Sequence, residues 1–134
     1  MDSTRRDASA SDALVLFGVT GDLAHKKIFP ALYAMAKRGA LKLPVVGVAS
    51  SKWSLAKLRR HATDSIRHAG KIDDRKALDR LLSRLQYVSG DYKDPGTFEA
   101  LKKALGGAAH PAHYLAIPPA LFGTVIDGLG AADQ

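Results

Sequence analysis

The chain has 134 residues, 46% of them hydrophobic and 25% charged, which is the composition of a folded domain rather than of a disordered segment. It contains no cysteine, so disulfides, thiolate metal sites and cysteine nucleophiles are all excluded. No stretch approaches the about 18 consecutive apolar residues of a membrane helix, no secretory leader is visible, and a cytoplasmic protein with no membrane partner is expected. The net charge of +7 raises the question of which anion the protein meets.

The first dozen residues, MDSTRRDASASD, read as a disordered polar tail. Ala13 to Phe17 is a short continuous apolar run closed by Gly18, the pattern of a buried strand. From Asp22 to Arg38 the apolar residues Ile28, Ala31, Leu32 and Met35 recur at helical spacing, and Gly39 stands where a helix terminates. Pro44 opens a second strand, Val45 to Ala49. Ser54 caps a helix with Leu55, Leu58, Ala62, Ile66 and Ala69 on one face, closed by Gly70. Asp73 and Asp74 start another, with Leu78, Leu81, Leu82 and Leu85 inward. Gln86 to Ser89 is a third strand. Asp94-Pro95 is an N-cap followed by proline at the first helical position, and Phe98, Leu101 and Leu105 face inward. His113 to Ile117 is a fourth strand. Pro119 begins a last helix with Leu121, Val125, Ile126 and Leu129 inward.

Strands alternating with helices predict an α/β fold, a parallel sheet with helices on both faces. Four strands with right-handed crossovers give the order 3-2-1-4 of a Rossmann-type, doubly wound sheet. A fifth strand beside the fourth is the next element of that fold. The expectation is therefore a tail over residues 1–12 and an incomplete nucleotide-binding domain over 13–134.

The chemistry concentrates in Gly18-Val19-Thr20-Gly21-Asp22-Leu23-Ala24, between the first strand and the first helix. Glycines permit a tight turn and close approach of a pyrophosphate to the main chain, and Ala24 is small enough for close helix–strand packing. The helix N-terminus presents unpaired amides and the positive end of its dipole to phosphates. The spacing, G-x-x-G-x-x-A, is a variant of the dinucleotide fingerprint, but its strand–turn–helix context is the one the fingerprint requires. A tight turn that binds nothing would make the same steric demands.

The second strand ends Ser50-Ser51-Lys52 without the carboxylate that holds an NAD ribose, and hydroxyls with a cation favour the 2′-phosphate of NADP. The histidines at 25, 61, 68, 110 and 113 show no metal-ligand spacing, with His61 and His68 on a polar helix face. The charges between Lys57 and Arg84, including Asp64, Asp73, Asp74 and Asp79, read as solvated helix surface. They lack interleaved aromatics, so no nucleic-acid partner is expected.

Phe17 to Leu32, FGVTGDLAHKKIFPAL, resembles the opening of glucose-6-phosphate dehydrogenases, G-A-S/T-G-D-L-A followed by basic residues and K-x-x-P-x-L. Gly90-Asp91-Tyr92 and Tyr114-Leu115-Ala116-Ile117-Pro118-Pro119 with Phe122-Gly123 are similar to later segments of that family, in the same order. The resemblance implies oxidation of glucose 6-phosphate at C1 to the lactone, the first step of the oxidative pentose phosphate pathway, with hydride passing to NADP. It implies that Gly18 to Ala24 wrap the pyrophosphate, and that Asp91, Tyr92 and Phe122 border the path from adenine to nicotinamide. It places Ala116, Ile117 and Pro118 near the nicotinamide and points Lys27 toward the sugar.

That family usually carries an arginine directly after the second strand, where this chain has Ser50, so discrimination against NAD is expected to be weaker than the family's norm. The family's histidine base and its substrate and dimerisation domain have no counterpart in these residues. The resemblance thus implies a homo-oligomeric parent enzyme and a chain that binds nucleotide without turnover. A non-catalytic nucleotide-binding or assembly module derived from such a domain is the alternative.

Overall fold

In a computed structural model of the protein, residues 11–131 are described, and the tail expectation for residues 1–10 lies outside them. Four parallel strands, β1 (Ala13–Phe17), β2 (Val45–Ala49), β3 (Leu85–Ser89) and β4 (Pro111–Leu115), form one sheet in the order β3-β2-β1-β4. This is the order expected from right-handed crossovers.

The period-two alternation of β1 and β2 divides the core between two layers. Leu16, Val45 and Ala49 face a layer built from α1 (Phe29–Lys37), α2 (Leu55–Ala69) and α3 (Arg75–Arg84), where Phe29, Leu32, Leu58, Leu78 and Leu81 are buried. Val15, Phe17, Val46 and Val48 face α4 (Pro95–Leu105) and α5 (Phe122–Ala131), where Phe98, Leu101, Val125 and Leu129 are buried. The sheet is doubly wound, as the near-continuous apolar runs of β1 and β2 require.

Helix starts follow the capping residues. The Ser54 hydroxyl accepts from the Lys57 amide at 3.0 Å, the Asp74 carboxylate from Ala77 at 3.0 Å, and the Asp94 carboxylate from Gly96 at 2.9 Å. Each is worth about 1 kcal/mol. Asp12, assigned to the tail's last position, is anchored: its carboxylate accepts from the amides of Ala109 and His110 at 2.7 and 3.0 Å and fastens the entry to β4.

The structure corrects several expectations. β4 begins at Pro111 opposite Ala13 and ends at Leu115, two residues before the run His113 to Ile117. Pairing with β1 sets this register, and proline is tolerated as the first residue of an edge strand. β3 likewise starts one residue early, at Leu85. Ile126, Ala31 and Ala69 are exposed rather than inward, because nothing among the described residues packs over those faces. Asp73 is not merely solvated: its carboxylate accepts from the Tyr33 hydroxyl at 3.0 Å and pairs with the Lys37 ammonium at 2.7 Å, tying α1 to the start of α3.

Candidate functional site

The carboxyl ends of the strands converge on the turn that follows β1. Gly18 adopts φ +81°, in the left-handed region, and a Cβ there would overlap the Ala116 carbonyl and come within 2.8 Å of Ile117 Cγ2. No other residue fits that conformation and that space together. The Gly21 amide donates to the Gly18 carbonyl at 3.0 Å and closes the turn, and His25 is the first amide of the following helix to meet a carbonyl, that of Gly21 at 3.1 Å. The earlier amides of this helix, which starts at residue 22, lie at the unpaired end of the helix dipole.

Within the turn, Val19 and Ala24 are fully buried and pack into the core beneath it. Thr20 is half-buried; Gly21, Asp22 and Leu23 are exposed. The helix then widens into a π-helical turn, Ala24–Ile28, before α1, a distortion frequent at functional sites. Lys27 lies in this turn with its side chain exposed.

The loop after β2 joins the same end of the sheet. The Ser51 and Thr20 hydroxyls are 2.9 Å apart, and the Ser51 carbonyl accepts from the hydroxyls of Tyr87 and, at 2.9 Å, Ser89. Ser50 and Lys52 remain exposed. After β3, the Asp91 carboxylate accepts from the Lys93 amide at 2.9 Å while its carbonyl accepts from the Thr97 hydroxyl at 2.7 Å. Tyr92 turns inward: its hydroxyl accepts from the Gly18 amide at 2.9 Å and donates to the Val48 carbonyl at 3.2 Å. Burial raises the Tyr92 phenol above its ordinary value, opposed by the bond from Gly18. After β4, Ala116 is buried against the turn with its amide on the Phe17 carbonyl at 2.9 Å, Ile117 is half-buried beside it, and Pro118 and Phe122 are exposed.

The residues singled out for coenzyme and sugar therefore lie on the four loops at the carboxyl edge or in the first turns of the helices that follow them. An open cavity of about 370 Å³ reaches this region at Tyr92 and is otherwise lined by Lys93 and by residues of α4 and α5.

Three histidines gather where sequence spacing predicted nothing. The His25 ring lies 4.7 Å from that of His61 and 5.7 Å from that of His68, and Trp53 stands edge-on to His61 at 4.9 Å. Burial, then the neighbouring His25 and Lys57, lower His61 below its ordinary value, against Asp64. His61 is thus no member of a polar face, because the π-helical turn brings His25 over α2. Among the described residues no group of histidines and carboxylates is arranged to hold a metal, and no helix is long and apolar enough to cross a membrane.

The geometry suits a dinucleotide. A tight turn that Gly18 makes possible, an exposed Gly21 at the start of the helix, the helix N-terminus itself, and flanking loops carrying hydroxyls and a lysine form a cradle for phosphates.

Residues 15–134 match the family model described as glucose-6-phosphate dehydrogenase, NAD binding domain. The chain is 44% identical over 120 residues to a glucose-6-phosphate 1-dehydrogenase 1 of Mycobacterium tuberculosis, covering 90% of this chain and 26% of the relative. It therefore spans about a quarter of the length of the relatives it matches. Among solved structures, a glucose-6-phosphate 1-dehydrogenase from Mycobacterium avium superposes with a TM-score of 0.87 at 41% identity, covering 92% of this chain and 27% of that one. A glucose-6-phosphate dehydrogenase in complex with its substrate glucose-6-phosphate superposes with a TM-score of 0.78 at 29% identity, covering 92% and 28%.

Proposed function

The chain belongs to the family of glucose-6-phosphate dehydrogenase NAD-binding domains, and we propose that it is the coenzyme-binding part of an enzyme that oxidises glucose 6-phosphate to 6-phosphogluconolactone. The observation that carries this reading is the Gly18 turn. It sits at the carboxyl end of β1, between β2 and β4, where successive crossovers leave to opposite faces and open a crevice.

In this proposal the main chain from Gly18 to Ala24 holds the pyrophosphate. Asp91, Tyr92 and Phe122 border the cleft, and Ala116 to Pro118 form the wall beside Gly18. The nicotinamide, when bound, accepts the hydride that leaves sugar C1. Lys27, exposed one turn past the phosphate cradle, donates hydrogen bonds toward the sugar. The coenzyme is NADP, because Ser50, Ser51 and Lys52 offer hydroxyls and a cation where a carboxylate would repel a 2′-phosphate. NAD competes, since no arginine stands at residue 50 to grip that phosphate in a fork.

Removal of the C1 hydroxyl proton needs a general base, and no side chain at this edge of the sheet is assigned that role. The chain alone is expected to bind nucleotide and not to turn over. Titration of Trp53 fluorescence with NADP and NAD tests the reading, because Trp53 follows Lys52 directly. Saturable quenching supports it. An unchanged signal together with no heat of binding in calorimetry at millimolar nucleotide would overturn it.

A further inference from the structure

The β1–β2 ladder reaches its last pair at Phe17 and Val48, and the chain then leaves the sheet at Gly18. Such a junction is where a turn loosens, because the next residues have no strand partner. Here a side chain from the far side of β2 closes it. Tyr92 arrives from the loop after β3, and its hydroxyl lies within hydrogen-bond distance of both the Gly18 amide and the Val48 carbonyl. The Gly18 amide also donates to that carbonyl at 2.8 Å, so the three groups form a closed triangle.

The phenol is itself held. Its ring packs edge-on against Phe17 with centroids 5.9 Å apart. The loop beneath it is tied by the Thr97 hydroxyl and the Asp94 amide, both donating to the Asp91 carbonyl at 2.7 and 3.0 Å. The hydroxyl's hydrogen bonds are thus directed into the backbone of the turn rather than into the cleft.

We propose that Tyr92 is a positioning residue, whose hydroxyl sets the Gly18 turn in its ligand-ready conformation before any nucleotide arrives. This rests on the nucleotide-binding reading above and extends it. A preset turn lowers the ordering cost of binding, and it acts on the pyrophosphate cradle shared by NAD and NADP. Removing the hydroxyl while keeping the ring therefore weakens both coenzymes by a similar factor, and specificity stays where it was.

The test compares the 134-residue chain with its Tyr92→Phe variant, which retains the packing on Phe17. One hydrogen bond predicts dissociation constants for NAD and NADP that each rise about five- to tenfold. In the nucleotide-free chain, amide hydrogen exchange at Gly18 is expected to quicken by a similar factor, with the far-ultraviolet circular dichroism unchanged. Weaker binding without faster exchange would place the hydroxyl on the nucleotide itself and overturn the proposal. Faster exchange with unchanged affinity would make Tyr92 a merely structural residue and overturn it too. Failure of the unsubstituted chain to bind either coenzyme would instead refute the functional reading. Tyr92→Leu, which loses ring and hydroxyl together, is expected to weaken binding no less than Tyr92→Phe; a smaller loss would also count against the hydroxyl.

Discussion

The hydroxyls of Thr20 and Ser51 stand 2.9 Å apart and join the glycine turn to the loop that leaves β2. With the Ser51 carbonyl also taken by Tyr87 and Ser89, that loop has a fixed backbone, and its exposed members, Ser50 and Lys52, are the ones free to meet a ligand.

Coenzyme preference is expected to respond at residue 50. Ser50→Arg places a planar, two-pronged donor on a loop already held by Ser51, where Lys52 supplies a point charge. The ratio of NAD to NADP dissociation constants, read by calorimetry, should rise about tenfold. An unchanged or smaller ratio would show that this loop does not face the 2′-phosphate.

Gly18 and Gly39 separate two causes of glycine demand. Both have positive φ, +81° and +72°, but a Cβ on Gly39 meets nothing within 4 Å whereas one on Gly18 overlaps the Ala116 carbonyl. Gly39→Ala should cost about 1–2 kcal/mol from backbone strain alone. Gly18→Ala adds the overlap and should cost about 2–5 kcal/mol, with loss of nucleotide binding. Urea denaturation of the two variants measures the difference, and equal costs would contradict the close approach.

Acid should weaken the fold before its carboxylates titrate. Burial lowers both His61 and His113 below their ordinary values, with His25 adding to the effect at His61. The unfolded chain then binds more protons than the folded one in this window. Their stabilising contribution is complete above the unfolded value of about 6.5 and is lost as pH falls through the folded value. The urea midpoint should be lower at pH 5.5 than at pH 7.5, and His61→Phe should shrink that difference while keeping the ring beside Trp53. A difference as large in the variant as in the parent would exonerate His61.

Among the described strands β4 pairs on one side, with β1, and Tyr114 on it is 46% exposed. An open strand edge with apolar neighbours invites pairing with a second copy. Light scattering of the 134-residue chain should show mass rising with concentration, and Tyr114→Lys should suppress the rise. A concentration-independent monomer in the parent chain would argue that the edge is protected.

The sequence by itself determined the alternation of strands and helices, the order of the strands and the place of the glycine turn, but not the π-helical turn Ala24–Ile28 or the 3-10 turn Pro119–Leu121 that precedes the last helix. The features it determined depend on what is local: the two-residue period of β1 and β2, the caps Ser54, Asp74 and Asp94, and a glycine between strand and helix. The β4 boundary and the exposure of Ile126 were not legible, because register belongs to the pair of strands and a helix face is buried only if something covers it. Tertiary structure alone decided that Tyr92 holds Gly18 across 74 residues of chain, that Thr20 meets Ser51, and that His25 meets His61. A hydrogen bond or ring contact of that kind leaves no periodic trace in the sequence. The two hydrogen bonds exist because the parallel sheet brings the carboxyl ends of β1, β2 and β3 side by side, so that loops distant in the chain satisfy one another's polar groups. The ring contact exists because the helices that follow β1 and β2 pack on the same face of the sheet.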